Sequence, residues 1–313
     1  MPDYDFRTLQ KGDQLATVLG NNLVHTLEAS DPAFVQTARD VITRFGLKPG
    51  IEIVKGKQPL RKVGAACVHD GTHQVQLSET FLSYLWCMSY SLLAFYDTLL
   101  SSDDSPVRTK ARQAFDYAMS LVSAYAEWPD AVPNPVFGVA ADQTLVEKVN
   151  AVFCYAANFV LLHEIGHVAC GHTQVSAAVQ PRWQLIDEER QADRWAWEHG
   201  FTSPVTNQIQ LTRQFGGAVA VSALLMLNKA LVHSRHPDSD ERIKNALTVI
   251  APEPVSHCRL LVLQGVRLWE QYHGRPLEWI AANSFEAIFE GVLTSLSKHR
   301  ETDEILRISA RIR

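Results

Sequence analysis

Two periods of apolar and polar residues run along this chain, and the change between them divides it. The stretch "DGTHQVQLS" from Asp70 alternates Val75 and Leu77 with Gln74 and Gln76, as a half-buried strand does, after a hairpin turn signal at Asp70-Gly71. "GIEIV" at Gly50 and "KVGAACVH" at Lys62 are two further strand-like runs. All the expected β structure therefore lies between residues 50 and 78, as one small antiparallel sheet. Beyond it the spacing lengthens to three and four residues. Helices are expected over 79–100, 106–127, 142–170, 181–199, 206–232, 239–250, 256–272 and 277–298. One earlier helix, 32–45, has Asp31 as N-cap, Pro32 in its first turn and Gly46 just past its end.

The class read from this pattern is α+β, mostly helical. We expect a single domain over 1–313, with an N-terminal helical segment (1–48), a central core (49–255) and a C-terminal helical segment (256–313). The stretch "WPDAVPNPVFG", residues 128–138, carries three prolines and reads as a loop. It forms either a boundary or a cover over a functional site, as the C-terminal helices also could.

Composition narrows the partners. A net charge of −5 with scattered Lys and Arg lacks the basic footprint of a nucleic-acid or anionic-membrane binder. Three apolar stretches, 84–100, 151–162 and 216–227, read as buried helices. The first contains Ser89, Ser91 and Asp97, and the others fall short of the roughly 20 residues of a span. Five widely spaced cysteines fit reduced thiols better than a disulfide framework, and Cys170 reads as a buried thiol. The polar, acidic start "MPDYDF" lacks the pattern of a signal peptide, so the expected location is the cytoplasm.

The chemistry concentrates in "VLLHEIGHVACGHT", residues 160–173. On a helix, residues four apart lie about 40° apart around the axis, so His163 and His167 share a face and can hold one Zn²⁺. Glu164 is displaced toward the open side, where a carboxylate can take a proton from metal-activated water. Two imidazoles and a carboxylate are costly to bury on so apolar a helix unless paired or metal-bound. Gly166 in mid-helix costs roughly 1 kcal/mol against alanine, which makes sense where another element must approach closely.

A catalytic zinc takes three protein ligands, so one is still owed. His172 lies only five residues past His167, and reads as a neighbour of the ligands or a helix C-cap. "LIDEERQADRWAWE", 185–198, offers a better donor: Ile186, Glu189, Asp193, Ala196 and Trp197 form one stripe, apolar except for two carboxylates. We expect Glu189 as the third ligand. Asp193, one turn on, then accepts a hydrogen bond from a ligating histidine's free N–H.

HEIGH followed by Glu189-Arg190-Gln191-Ala192-Asp193 resembles the HExxH plus ExxAD arrangement of gluzincin zinc metallopeptidases, the HtpX-like group especially. "RHPDSDERI", 235–243, is similar to that group's "HP…RI" segment. Length, layout and a mid-chain HExxH are also similar to the Lit-type phage-exclusion peptidases, soluble bacterial zincins that cut a host translation factor. The resemblance implies a zincin-like fold with the sheet packed on the HExxH helix, a Zn²⁺ cofactor and a protein or peptide substrate. For His236 it implies an electrophile or removable fourth ligand, against the plain reading of a loop histidine at the helix start near Ser239; His233 is a weaker competitor.

The expected reaction is peptide-bond hydrolysis with Glu164 as general base, on an intracellular protein and in a phage- or stress-defence setting. A substrate strand could pair with the hairpin edge at residues 72–77. Two other readings stay open: a metal-binding regulatory or sensing module without efficient proteolysis, and a structural protein that merely carries the motif.

Overall fold

The computed structural model describes residues 51–63, 66–69, 74–99, 105–135, 143–172, 180–202, 206–233, 236–251, 256–279 and 284–312, with single positions at 36, 39–40, 43–44, 46–48, 253 and 282. Positions 36, 39–40 and 43–44 are helical, and Gly46 follows with a φ of +67°. The proposed cap at Asp31 and Pro32 lies outside the described residues, as does the Asp70-Gly71 turn.

Three strands, β1 (Ile51–Val54), β2 (Ala66–His69) and β3 (Gln74–Ser78), form a sheet in the order β1-β3-β2. The sheet is mixed rather than antiparallel. β2 pairs antiparallel with β3, His69 opposite Gln74, whereas β1 pairs parallel to it, Ile51 opposite Val75. A short helix, α1 (Leu60–Val63), occupies the start of the run expected as strand and carries the chain across to β2. Because β3 is central, residues 75–77 already have a neighbour on each side, and no substrate strand can pair there.

Strand β3 feeds directly into α2 (Glu79–Asp97), where Ser78 Oγ accepts the Phe81 N–H. This helix is buried from Glu79 to Ala94 and forms the middle of the molecule. Its serines are satisfied inside the helix: Ser83, Ser89 and Ser91 donate to the carbonyls four residues back. Around it pack α3 (Pro106–Ser123), α4 (Gln143–Ala169), α6 (Asn207–Met226) and α8 (His257–His273), with α5 (Arg182–Phe201) and α7 (Ser239–Ile250) outside α4 and α6. One continuous core runs from Leu60 to Leu296.

Helix α4 has 27 residues, far more than the apolar stretch 151–162. It is long and apolar enough to cross a membrane, but 78% of its most apolar window is buried inside the fold, as in a core helix. β2 and β3 rest on this helix.

The described part of the proline stretch, 128–135, does not cover the functional site. The Trp128 ring packs tilted against Trp86 at 5.6 Å and Tyr117 at 5.5 Å, and the Asn150 amide donates to the Pro135 carbonyl. Asn150 stands thirteen residues before His163, about 20 Å along the helix. Residues 136–138 lie outside the described residues.

The last helix, α9 (Phe285–Ile312), begins eight residues later than expected and runs well past residue 298. Gly274, at φ +61°, ends α8, and the chain beyond it is held by side chains instead of helical bonds. Glu270 accepts the Leu277 N–H and the Trp279 indole, while Ser295 accepts the Glu278 N–H. α9 in turn grips the segment before α7. Asp303 accepts the Leu231 N–H at 2.8 Å, and Arg300 reaches Asp238 and Asp240.

Candidate metal centre

The site is built where α4 and α5 run closest. A methyl group on Gly166 would lie 3.1 Å from the Ala192 carbonyl oxygen and 3.2 Å from its Cα, so only glycine lets the backbones come this near. That approach sets the inward carboxylates of α5 against the histidine face of α4. Asp193, Ala196 and Trp197 are buried, while Glu188 and Arg194 lie to the side. Trp197 stacks on Phe159 at 4.0 Å, one turn before His163, and fixes the register of the two helices.

The donors converge. His163 Nε2 and His167 Nε2 are 3.1 Å apart, and the Glu189 carboxylate oxygens lie 3.2 Å from the first and 3.4 Å from the second. All three ligand atoms fall within 4.8 Å of one another. Donors bound tetrahedrally to one Zn²⁺ at roughly 2.0–2.1 Å stand about 3.3 Å apart, so two imidazole nitrogens and a carboxylate at these separations fit such an ion. Without a cation, the same three groups share protons. Burial opposes ionisation of Glu189, but hydrogen bonds from His163, His167 and His236 hold its carboxyl well below the usual range. Burial likewise disfavours charging His163, yet Asp193 and Glu189 outweigh it and raise its pKa. With Asp193 paired to Arg242, the Glu189 carboxylate is the excess negative charge of the cluster, which a proton or a metal ion can balance.

Each donor is itself held. Asp193 Oδ1 accepts from His163 Nδ1 at 2.8 Å, and the Arg242 guanidinium from α7 forks the same carboxylate at 2.6 and 2.8 Å. Burial would raise the Asp193 pKa, but Arg242 and His163 lower it and keep it ionised. His167 Nδ1 faces His172 Nδ1 at 3.0 Å, and His172 Nε2 faces Gln191 Oε1 at 3.3 Å. His236, half exposed, places Nδ1 2.6 Å from Glu189 Oε2.

A cavity of about 320 Å³ opens on this cluster, bounded by His163, Glu164, His236 and Arg242 on the polar side and by Phe159, Val221 and Leu225 on the apolar side. Glu164 is half-buried at its wall. The structure thus gathers into one place all the residues singled out from sequence: His163, Glu164, His167, His172, Glu189, Asp193 and His236. Cys170 is a correction. It is exposed, at the end of α4, where Gly171 follows at φ +78°.

With this geometry in place, comparison with known proteins is direct. Residues 75–262 match the family described as Peptidase U49. The chain belongs to the peptidase U49 family. A protein of Escherichia coli strain K12 named cell death peptidase is 23% identical over 248 residues, covering 73% of this chain and 80% of that protein. No solved structure matches the chain. These matches bear out the Lit-type resemblance and carry nothing for the HtpX-like one. The protein is a peptidase, and the matched region spans β3 to the first residues of α8, so it contains the whole cluster while α9 lies beyond it.

Two contributors to this peptidase site escaped the sequence reading. Arg242 lies within "RHPDSDERI" and Gln191 within "EERQAD", and neither motif singles it out. Arg242 had a usable signal. Ser239, Ile243, Ala246 and Ile250 form the buried stripe of α7, and Arg242 adjoins it as a cation, the same anomaly that exposed Glu189 and Asp193. Gln191, exposed and uncharged, offered none.

Proposed function

We propose that the chain is a zinc-dependent endopeptidase with Glu164 as general base, acting on a specific protein inside the cell. The observation that carries this reading is the meeting of His163, His167 and Glu189 within 4.8 Å beside the cavity that His163 and Glu164 line. Zn²⁺ held by those three residues would supply Lewis acidity to a water and to the scissile carbonyl.

The remaining work belongs to the chain's own side chains. The Glu164 carboxylate takes a proton from the attacking water and passes it to the leaving amine. Asp193, kept ionised by Arg242, holds the proton of His163 on Nδ1 and leaves Nε2 free as a ligand. His236 lines the same cavity and, once the Glu189 carboxylate is committed to the ion, turns its N–H from Glu189 to the substrate carbonyl oxygen as charge develops. The apolar wall from Phe159 to Leu225 excludes bulk water and strengthens these interactions.

Membership of a peptidase family supports the choice of bond, and the relative's name supports a setting in which cleavage harms the cell, such as phage or stress defence. The test is metal content. Purified protein should carry one zinc per chain, lose cleavage on chelation and regain it on zinc addition, while His163→Ala and Glu189→Ala should bind none. Cleavage that persists after complete removal of metal overturns the proposal.

A further inference from the structure

The two histidines are supported differently. His163 has a carboxylate behind it, Asp193, itself gripped by Arg242. His167 has no carboxylate at its Nδ1 among the described residues; it has a second imidazole, 3.0 Å away. Beyond that imidazole, His172 Nε2 lies 3.3 Å from Gln191 Oε1, and Gln191 Nε2 donates to Asp187 Oδ2 at 2.7 Å. Gly171, in the left-handed region, is the turn that swings His172 back across the end of α4. Asp187 and Gln191 stand one turn apart on α5, the helix that also presents Glu189.

These contacts have one self-consistent direction. Asp187 accepts only, so Gln191 must donate its NH₂ there and turn its carbonyl oxygen to His172. His172 then carries its proton on Nε2 and has a bare Nδ1. That nitrogen accepts from His167 Nδ1–H, which leaves His167 Nε2 with its lone pair toward His163 and Glu189. We propose that His172, Gln191 and Asp187 form a relay that fixes the tautomer of His167 and thereby sets how tightly the centre holds its ion. The proposal rests on the metal-centre reading above. His172, Gln191 and Asp187 are positioning residues, and none touches substrate.

The relay differs from the Asp193 arm in charge. A carboxylate behind a ligating imidazole raises its basicity, whereas a neutral imidazole orients it and adds no negative charge. The centre therefore has one strongly supported histidine and one adjustable one.

The experiment compares full-length wild type with His172→Phe, His172→Asn and Gln191→Leu, measuring zinc affinity by chelator competition and the visible spectrum of the cobalt-substituted protein. Phenylalanine keeps the shape of the ring and removes the acceptor. Asparagine places an oxygen where Nδ1 stands. Wild type should bind one zinc; H172F should bind about 10- to 100-fold more weakly with an altered cobalt spectrum. H172N should recover most of the affinity, and Q191L should fall between. Stoichiometric wild-type binding with H172F unchanged, or H172N as weak as H172F, overturns the relay and leaves the metal centre standing. Wild type that binds no zinc or cobalt overturns both.

Discussion

Gly166 on the histidine helix lies directly against the backbone of Ala192 on the carboxylate helix, close enough that a methyl would stand 3.1 Å from the Ala192 carbonyl oxygen and 3.3 Å from Trp195 Cβ. Gly166→Ala sets two effects against each other. Alanine favours a helix by about 1 kcal/mol over glycine, while the contact pushes α4 and α5 apart by a few tenths of an ångström. We expect little change in melting temperature but several-fold weaker zinc binding, since Glu189 moves with α5. Calorimetry and chelator competition on one preparation measure both, and unchanged affinity would count against the close approach as the device that assembles the ligands.

Arg242 and Asp193 form a buried pair in which Asp193 also carries the orientation of His163. Arg242→Met leaves that carboxylate without its fork. Breaking a buried pair on one side costs about 3 kcal/mol or more, so denaturant midpoints should fall accordingly. Arg242→Lys keeps the charge without the two-pronged geometry and should lie between. A methionine variant as stable as wild type would show that the pair contributes nothing.

His233 lines the cavity and donates or accepts at Ser239 Oγ, 2.8 Å away. Burial, and then the charges of His236 and Arg242, push its pKa down to about 4, against roughly 6.5 in an unfolded chain. Between those values the unfolded chain binds a proton that the folded one does not. Its contribution to stability is therefore whole above about 6.5 and is lost as the pH falls toward about 4. His233→Gln keeps a polar atom near Nε2 and removes the titration. The variant's unfolding free energy should decline less steeply than wild type across that window, and parallel slopes would contradict the assignment.

Much of this site was legible because burial penalties leave marks in sequence. Glu189 and Asp193 stood out as carboxylates on an otherwise apolar stripe, and Gly166 as a glycine without a local reason to be in a helix. The fold was less legible where the decisive contacts are distant. Alternation shows that residues 51–54 and 74–78 are strands but cannot say that they run parallel, since either pairing uses a period of two. Leu277 and Trp279 read as the start of a helix, yet Glu270 and Ser295 bind that backbone outside any helix. Nor could the proline stretch show that Trp128 would find Trp86 and Tyr117, far from the histidines.

The central claim is that Glu164 moves the proton in a metal-dependent cleavage. Its most direct test is Glu164→Gln, with zinc content measured on the purified protein and cellular proteins compared by mass spectrometry after expression of each form. The account predicts one zinc per chain in both proteins, a discrete cleavage product with wild type and none with the glutamine variant. The same product, formed as readily by Glu164→Gln, would contradict it.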